Sequence, residues 1–287
     1  MLSQTELVQK SIGRLRKFLK KNPKSPAPEK LHQIRTSVRR LESSLAAMNI
    51  GKKRLKKRLE RNLPVLRKRL GKVRDMDVLT AHAISIASKA SERECLVQLL
   101  EHLGAKRSEY TKRLRKAAKN YGPRLRNDLA KIVEKMEDAA NQPGEKGSGE
   151  NGALEFGGQQ VLPLRELISG LDRPKRLNKS SLHSYRLKIK ELRYILQLSK
   201  KIRSQELVKK LGEVKDAIGE WHDWEDLRAI TAEVVNGGPQ SKLARQLKKI
   251  THQKFNNALS TTNHMRKTHG NAKPHRLLDT SLAAVGE

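Results

Sequence analysis

The chain has 287 residues, with 62 Lys or Arg against 30 Asp or Glu, giving a formal net charge of +32. Its one cysteine, Cys95, excludes a disulfide framework and a thiolate metal cluster. Apolar residues make up 36% and charged residues 32%, a balance that fits amphipathic helices, and self-repulsion on this scale points to a polyanionic partner.

Apolar positions recur at helical spacing throughout, with no alternating strand pattern. Val8, Ile12, Leu15 and Leu19 stripe a first helix that ends near Pro23. Leu31, Ile34, Val38, Leu41 and Leu45 stripe a second. A long third helix carries Leu55, Leu59, Leu63, Leu66, Leu70 and Val73, with a kink expected at Pro64 and a slight one at Gly71. Further helices are expected over 92–120 and 123–140.

Residues 141–160, NQPGEKGSGENGALEFGGQQ, have six glycines and no periodicity, and predict a flexible linker. The second half, 161–270, restarts after Pro174. Ser180 or Ser181 is the expected cap of a helix over 182–201. Helices over 204–235 and 239–268 follow, with Trp221 and Trp224 expected in the core. Residues 271–287 are expected to fray.

The halves repeat. His32-Gln33-Ile34-Arg35-Thr36-Ser37-Val38-Arg39-Arg40-Leu41 and His183-Ser184-Tyr185-Arg186-Leu187-Lys188-Ile189-Lys190-Glu191-Leu192 share the pattern H-x-x-R-x-x-[VI]-[RK]-x-L at an offset of 151. Leu70-Gly71-Lys72-Val73-Arg74-Asp75 and Ile218-Gly219-Glu220-Trp221-His222-Asp223 match at an offset of 148. Apolar positions stay apolar across both pairings. The expected fold is all-α: two antiparallel helical bundles, residues 1–140 and 161–270, related by internal pseudo-twofold symmetry with a basic groove or channel between them.

Between Lys52 and Arg74, twelve positions are Lys or Arg and only Glu60 is acidic. Lys56 and Arg58 belong to this run. Residues that are basic in both repeats stand out from an ordinary solvated face: His32 and His183, Arg35 and Arg186, Arg39 and Lys190, Arg61 and Lys209, Arg67 and Lys215, Arg74 and His222. At 100° per residue, His32, Arg35 and Arg39 share a flank of their helix, next to Arg40. His183, Arg186 and Lys190 do likewise, extended by Arg193. Arg67 and Arg74 lie on one face at the core edge, whereas Arg61 points away from it.

Such groups bind phosphate oxygens, arginine through its fork and lysine as a point charge. Aromatic residues are only 3% of the chain, leaving few platforms for stacking bases. A polymer of bare phosphate needs none. His32 and His183 are read as hydrogen-bonding groups able to donate to phosphate. Asp75 and Asp223 are read as orienting neighbouring basic groups. Asp77 and Glu225 form a second acidic pair, with a weak metal site as the alternative to an ion-pairing role. No metal, cofactor or catalytic residue is assigned.

These segments resemble the CHAD family, the conserved histidine α-helical domains. The His32–Arg40 stretch is similar to its first signature, and LGKVRDMDVL at 70–79 to its second. LHSYRLKIKELRYILQL at 182–198 and IGEWHDWEDL at 218–227 resemble their second-half counterparts. The resemblance implies two helical bundles holding long-chain inorganic polyphosphate in a basic central groove, without catalysis. It also implies a role in bringing proteins to polyphosphate stores, with granule proteins as further partners. The exchanges Arg40 for Glu191 and Glu42 for Arg193 depart from a symmetric pattern.

The competing reading is a general nucleic-acid-binding protein. Under the leading reading, nucleic acid is only a weaker competitor. An enzyme would need a Walker loop, a carboxylate cluster or an activated nucleophile, and the sequence offers none of these signatures. No apolar run approaches the roughly 20 residues of a membrane span, and the first residues lack a signal-peptide core. A cytoplasmic protein at polyphosphate granules is therefore expected, with a nuclear location as the alternative in a eukaryote.

Overall fold

The computed structural model describes residues 4–47, 53–86, 93–141, 170–198 and 205–269. All regular structure among them is helical. The helices are α1 (Gln4–Lys21), α2 (Pro28–Ala47), α3 (Lys53–Ser85), α4 (Arg93–Asn141), α5 (Lys179–Leu198), α6 (Gln205–Val234) and α7 (Lys242–His269). Short 3₁₀ turns cover Gly170–Asp172 and Gly238–Gln240. None of these helices is long and apolar enough to cross a membrane. The expected linker, except Asn141, and the expected frayed tail lie outside the described residues.

The chain divides into two compact units, one of Met1–Ala81 with Leu100–Gly157 and one of His82–Leu99 with Gly158–Glu287. The end of α3 and the start of α4 thus belong with the second unit.

In the first unit the apolar stripes of α1 to α4 merge into one core, with Leu15, Leu31, Val38, Leu59, Leu63 and Leu125 almost fully buried. Polar clasps fix how its helices meet. Arg58 of α3 grips Asp128 of α4 with both arms of its fork, at 3.1 and 2.6 Å. Arg107 of α4 binds Asp77 of α3 at 2.6 Å and donates to the Pro26 carbonyl at 2.9 Å. Asn22 ends α1 with a positive φ of 36°, a conformation asparagine tolerates better than most residues. Its Nδ2 donates to the Arg115 carbonyl of α4.

The break expected between 120 and 123 does not occur, for α4 runs unbroken through Pro123. The buried stripe continues on both sides of that proline through Leu114, Ala118, Leu125 and Leu129. Pro123 itself is exposed. One lost backbone hydrogen bond there is set against a core that the same stripe fills on either side.

In the second unit, Leu182, Tyr185, Ile189, Leu211, Ile218 and Trp221 form the core with Ala258 and Met265 of α7. The Tyr185 hydroxyl donates to the Leu171 carbonyl at 3.0 Å, satisfying its buried polar end. His82 stacks on Trp224 with ring centroids 4.4 Å apart. Burial holds the His82 imidazole below its ordinary pKa, with Glu220 opposing and Lys254 adding to that effect.

The cap of α5 is Asn178, not Ser180 or Ser181. Asn178 Oδ1 accepts from the Ser181 amide at 2.9 Å, and Ser181 Oγ accepts from the Asn178 amide at 2.9 Å. This is a reciprocal capping box with serine in the return position. Ser180 donates to the same Asn178 oxygen at 2.7 Å. Replacing Asn178 with Ala should therefore lower stability by about 1 kcal/mol in denaturant unfolding, and Ser180→Ala should cost less. The reverse order would contradict this cap.

Candidate functional site

The two repeated motifs meet at the contact between neighbouring helices in each unit. In the first unit Arg35 of α2 lays its guanidinium across Gly71 of α3. A Cβ on Gly71 would lie 3.5 Å from Arg35 Nε and 3.8 Å from Nη2. In the second unit Arg186 of α5 lies across Gly219 of α6 more closely, and a Cβ there would come within 2.5 Å of Nη2. Arg186 Nε donates to the Lys215 carbonyl at 3.3 Å. That carbonyl is the one four residues before Gly219, and the missing side chain leaves it open to a second donor. Arginine stays charged under all ordinary conditions, so each of these seats places a permanent cation at a helix–helix seam.

Around Arg186 the predicted groups converge. The rings of His183 and His222 are 5.5 Å apart. Lys215 pairs with its neighbour Asp216 at 2.6 Å. Nδ1 of His222 contacts Asp226 Oδ2 at 3.2 Å. That hydrogen bond raises the His222 pKa above its ordinary value; burial opposes it, the nearby Asp226 and Asp223 charges add to it, and Arg186 lowers it. Arg193 rests over Gly212, whose Cβ would lie 3.5 Å from Nε. Its buried Nε has no hydrogen-bond partner among the described residues.

In the first unit, His32 is exposed, while Arg39 and Arg74 are half-buried. Arg67, one turn before Gly71, binds Glu42 at 2.7 Å. Arg40 donates to Ser11 Oγ of α1 at 3.4 Å, and Lys56 lies 4.0 Å from Glu60. Arg58 is committed to Asp128, an arrangement that raises its pKa further through the hydrogen bond. Arg61 is exposed, as its helical phase requires.

The sequence model of the CHAD domain matches residues 9–232. The chain belongs to the CHAD family. None of the curated proteins matches it significantly. CHAD domains are associated with polyphosphate binding, and the family match spans the four motif segments, ending inside α6.

In this CHAD domain one of the two exchanges between repeats, Glu42 for Arg193, acquires a physical role. Glu42 of the first repeat neutralises Arg67. Its counterpart in the second repeat, Arg193, instead adds a cation beside α6. The second acidic pair is also accounted for: Asp77 holds Arg107, and Glu225 holds Arg228 at 2.7 Å, which depresses the Glu225 pKa. Gly71 and Gly219 were not anticipated as seats. The signal was present, because a Leu-Gly or Ile-Gly pair recurs at the same place in both repeats.

The seats give an asymmetric expectation. Gly219→Ala must displace the Arg186 guanidinium, the end of a flexible side chain, so the fold survives and the helix gains up to about 1 kcal/mol. Polyphosphate affinity should fall in Gly219→Ala and hardly change in Gly71→Ala, where the added Cβ makes an ordinary contact. Equal effects in a binding titration would contradict the geometry.

The His222–Asp226 pair sets a second expectation. A raised folded pKa stabilises the fold fully below the unfolded value of about 6.5 and loses that contribution as pH rises through the folded value. Affinity for an anion should fall over the same interval, with His222→Gln flattening the profile. An unchanged pH profile in that variant would contradict the assignment.

Proposed function

We propose that this CHAD domain binds long-chain inorganic polyphosphate without transforming it, and so brings itself or partner proteins to polyphosphate stores in the cytoplasm. The observation that carries this reading is the repeated seat, Arg35 over Gly71 and Arg186 over Gly219. A fixed guanidinium offers two parallel donors to phosphate oxygens. His183, His222 and Lys215 surround one seat, and Arg39 and Arg74 belong to the same motifs as the other.

A linear polyanion engages many such cations at once and gains from releasing its counterions. It needs no base stacking, which suits a chain so poor in aromatic residues. Each unit carries its own seat. We assign no chemical step, and the domain acts by holding the polymer.

Competition binding at near-physiological salt tests this. Labelled long-chain polyphosphate is displaced by unlabelled polyphosphate, RNA or duplex DNA matched by phosphate concentration. Polyphosphate should displace the label far better than either nucleic acid at the seats. Arg35→Ala combined with Arg186→Ala should weaken binding while helicity and melting stay near wild type. Equal competition by RNA, or unchanged affinity in a folded double variant, would overturn the reading. Magnesium-dependent phosphate release that disappears in Asp75→Asn or Asp223→Asn would overturn its non-catalytic part.

A further inference from the structure

We propose that the outer face of α7 is a docking surface for duplex DNA, built from residues other than those of the arginine seats. Across its 28 residues, Lys242–His269, α7 contains seven Lys or Arg and no Asp or Glu. It begins beyond residue 232, where the family match ends. Ser241 caps it, accepting from the Ala244 amide at 3.1 Å.

Two of its cations serve the fold. Lys254 pairs with Glu220 of α6 at 2.7 Å, and Arg266 donates to the Pro174 carbonyl at 2.9 Å. The outward ones do not. Arg245, Lys248 and Lys249 are exposed, and none has an ion-pair partner among the described residues. At 100° per residue they share one stripe with Gln253, Asn256 and Asn263, which are exposed as well. Lys267, exposed near the end of α7, falls on the same stripe, so cations flank the three amides on both sides.

The amides among the cations select the partner. A bare phosphate polymer presents only acceptors, so the carbonyl oxygens of three exposed amides gain nothing from it. DNA presents phosphates for the cations and both donors and acceptors on base edges, where Asn and Gln pair with adenine. A helix of about 10–12 Å diameter fits the B-form major groove of about 12 Å, whereas the A-form major groove of duplex RNA is too narrow for side chains to read. The stripe carries no Phe, Tyr or Trp on which an unpaired base could stack. Asn256 is held by a contact of 3.2 Å between its Nδ2 and His252 Nε2, one turn back.

The test uses the full chain and a labelled 20-base-pair mixed-sequence DNA duplex, with polyphosphate affinity measured on every variant. The triple variant Arg245→Gln, Lys248→Gln, Lys249→Gln should lose at least about tenfold in DNA affinity. Its slope of log affinity against log salt should shrink by about 2.7, the counterions of three phosphate contacts. Polyphosphate affinity should stay within about twofold, since phosphate contacts are additive only where they are made. Gln253→Ala with Asn256→Ala and Asn263→Ala should weaken DNA binding without changing that slope.

A matched triple variant on the exposed face of α1, Lys10→Gln with Arg14→Gln and Lys17→Gln, should leave DNA affinity intact. An equal loss in the α1 variant would overturn the proposal in favour of a diffuse basic surface. An amide variant that binds as wild type, or duplex RNA that binds as tightly as DNA, would overturn the assignment to the DNA major groove. Loss of polyphosphate binding in the arginine-seat variants leaves these outcomes unaffected, so the two claims fail separately.

Discussion

A guanidinium laid across a helix position that has no Cβ is the contact on which the candidate site depends. Arginine cannot shed its charge when it is moved out of water, so it must keep a polar partner wherever it packs. Glycine meets both needs at once in the second unit. It leaves room for the planar group against the helix, and it opens a backbone carbonyl, that of Lys215, to the arginine Nε. The arginine thereby loses much of its freedom to rotate while its remaining donors stay available. A lysine in its place would lack the planar fork and the room-filling shape. Glycine, costly inside a helix by about 1 kcal/mol relative to alanine, thus has a physical role at Gly219 in the middle of α6.

The chain's few acids are distributed in a way that complements this. Asp128, Asp77, Glu42 and Glu225 are each engaged by an arginine. Asp128 and Asp77 are buried, and each ties α3 to α4. Breaking such a pair leaves a buried carboxylate uncompensated, and that constraint fixes how the helices meet. The remaining cations greatly outnumber the acids left to neutralise them. The fold therefore holds a large unbalanced positive charge on a helical frame whose own ion pairs are local. A bound polyanion relieves the repulsion that the frame tolerates.

Much of this was legible in the sequence, because helical periodicity reports burial directly. All nine apolar pairs aligned between the repeats, from Ile34 with Tyr185 to Val73 with Trp221, are buried on both sides. Trp224 is buried too. The boundaries of α6 and α7 lie within a few residues of those expected. What periodicity does not report is the partner of a polar group. The phase of Arg58 on its helix gave no sign that Asp128, seventy residues away, would take both arms of its fork. The cap of α5 went to Asn178 because three serine and asparagine side chains compete there, and local spacing alone does not rank them. Two helices were expected where α4 is one, although the apolar stripe on either side of Pro123 continues in register. The glycine seats were missed because a glycine inside a helix is ordinarily read as a weakness, not as space for a neighbour.

The measurement that bears most directly on this account is nitrogen-15 NMR of the arginine Nε–Hε groups during titration with long-chain polyphosphate. Arg35 and Arg186 would be assigned by single replacement with lysine. If the seats hold the polymer, these two resonances shift early and saturate together with binding, ahead of exposed arginines such as Arg14 and Arg61. If the exposed arginines shift first and the seated pair does not move, the polymer is held by diffuse surface charge and the seats are structural.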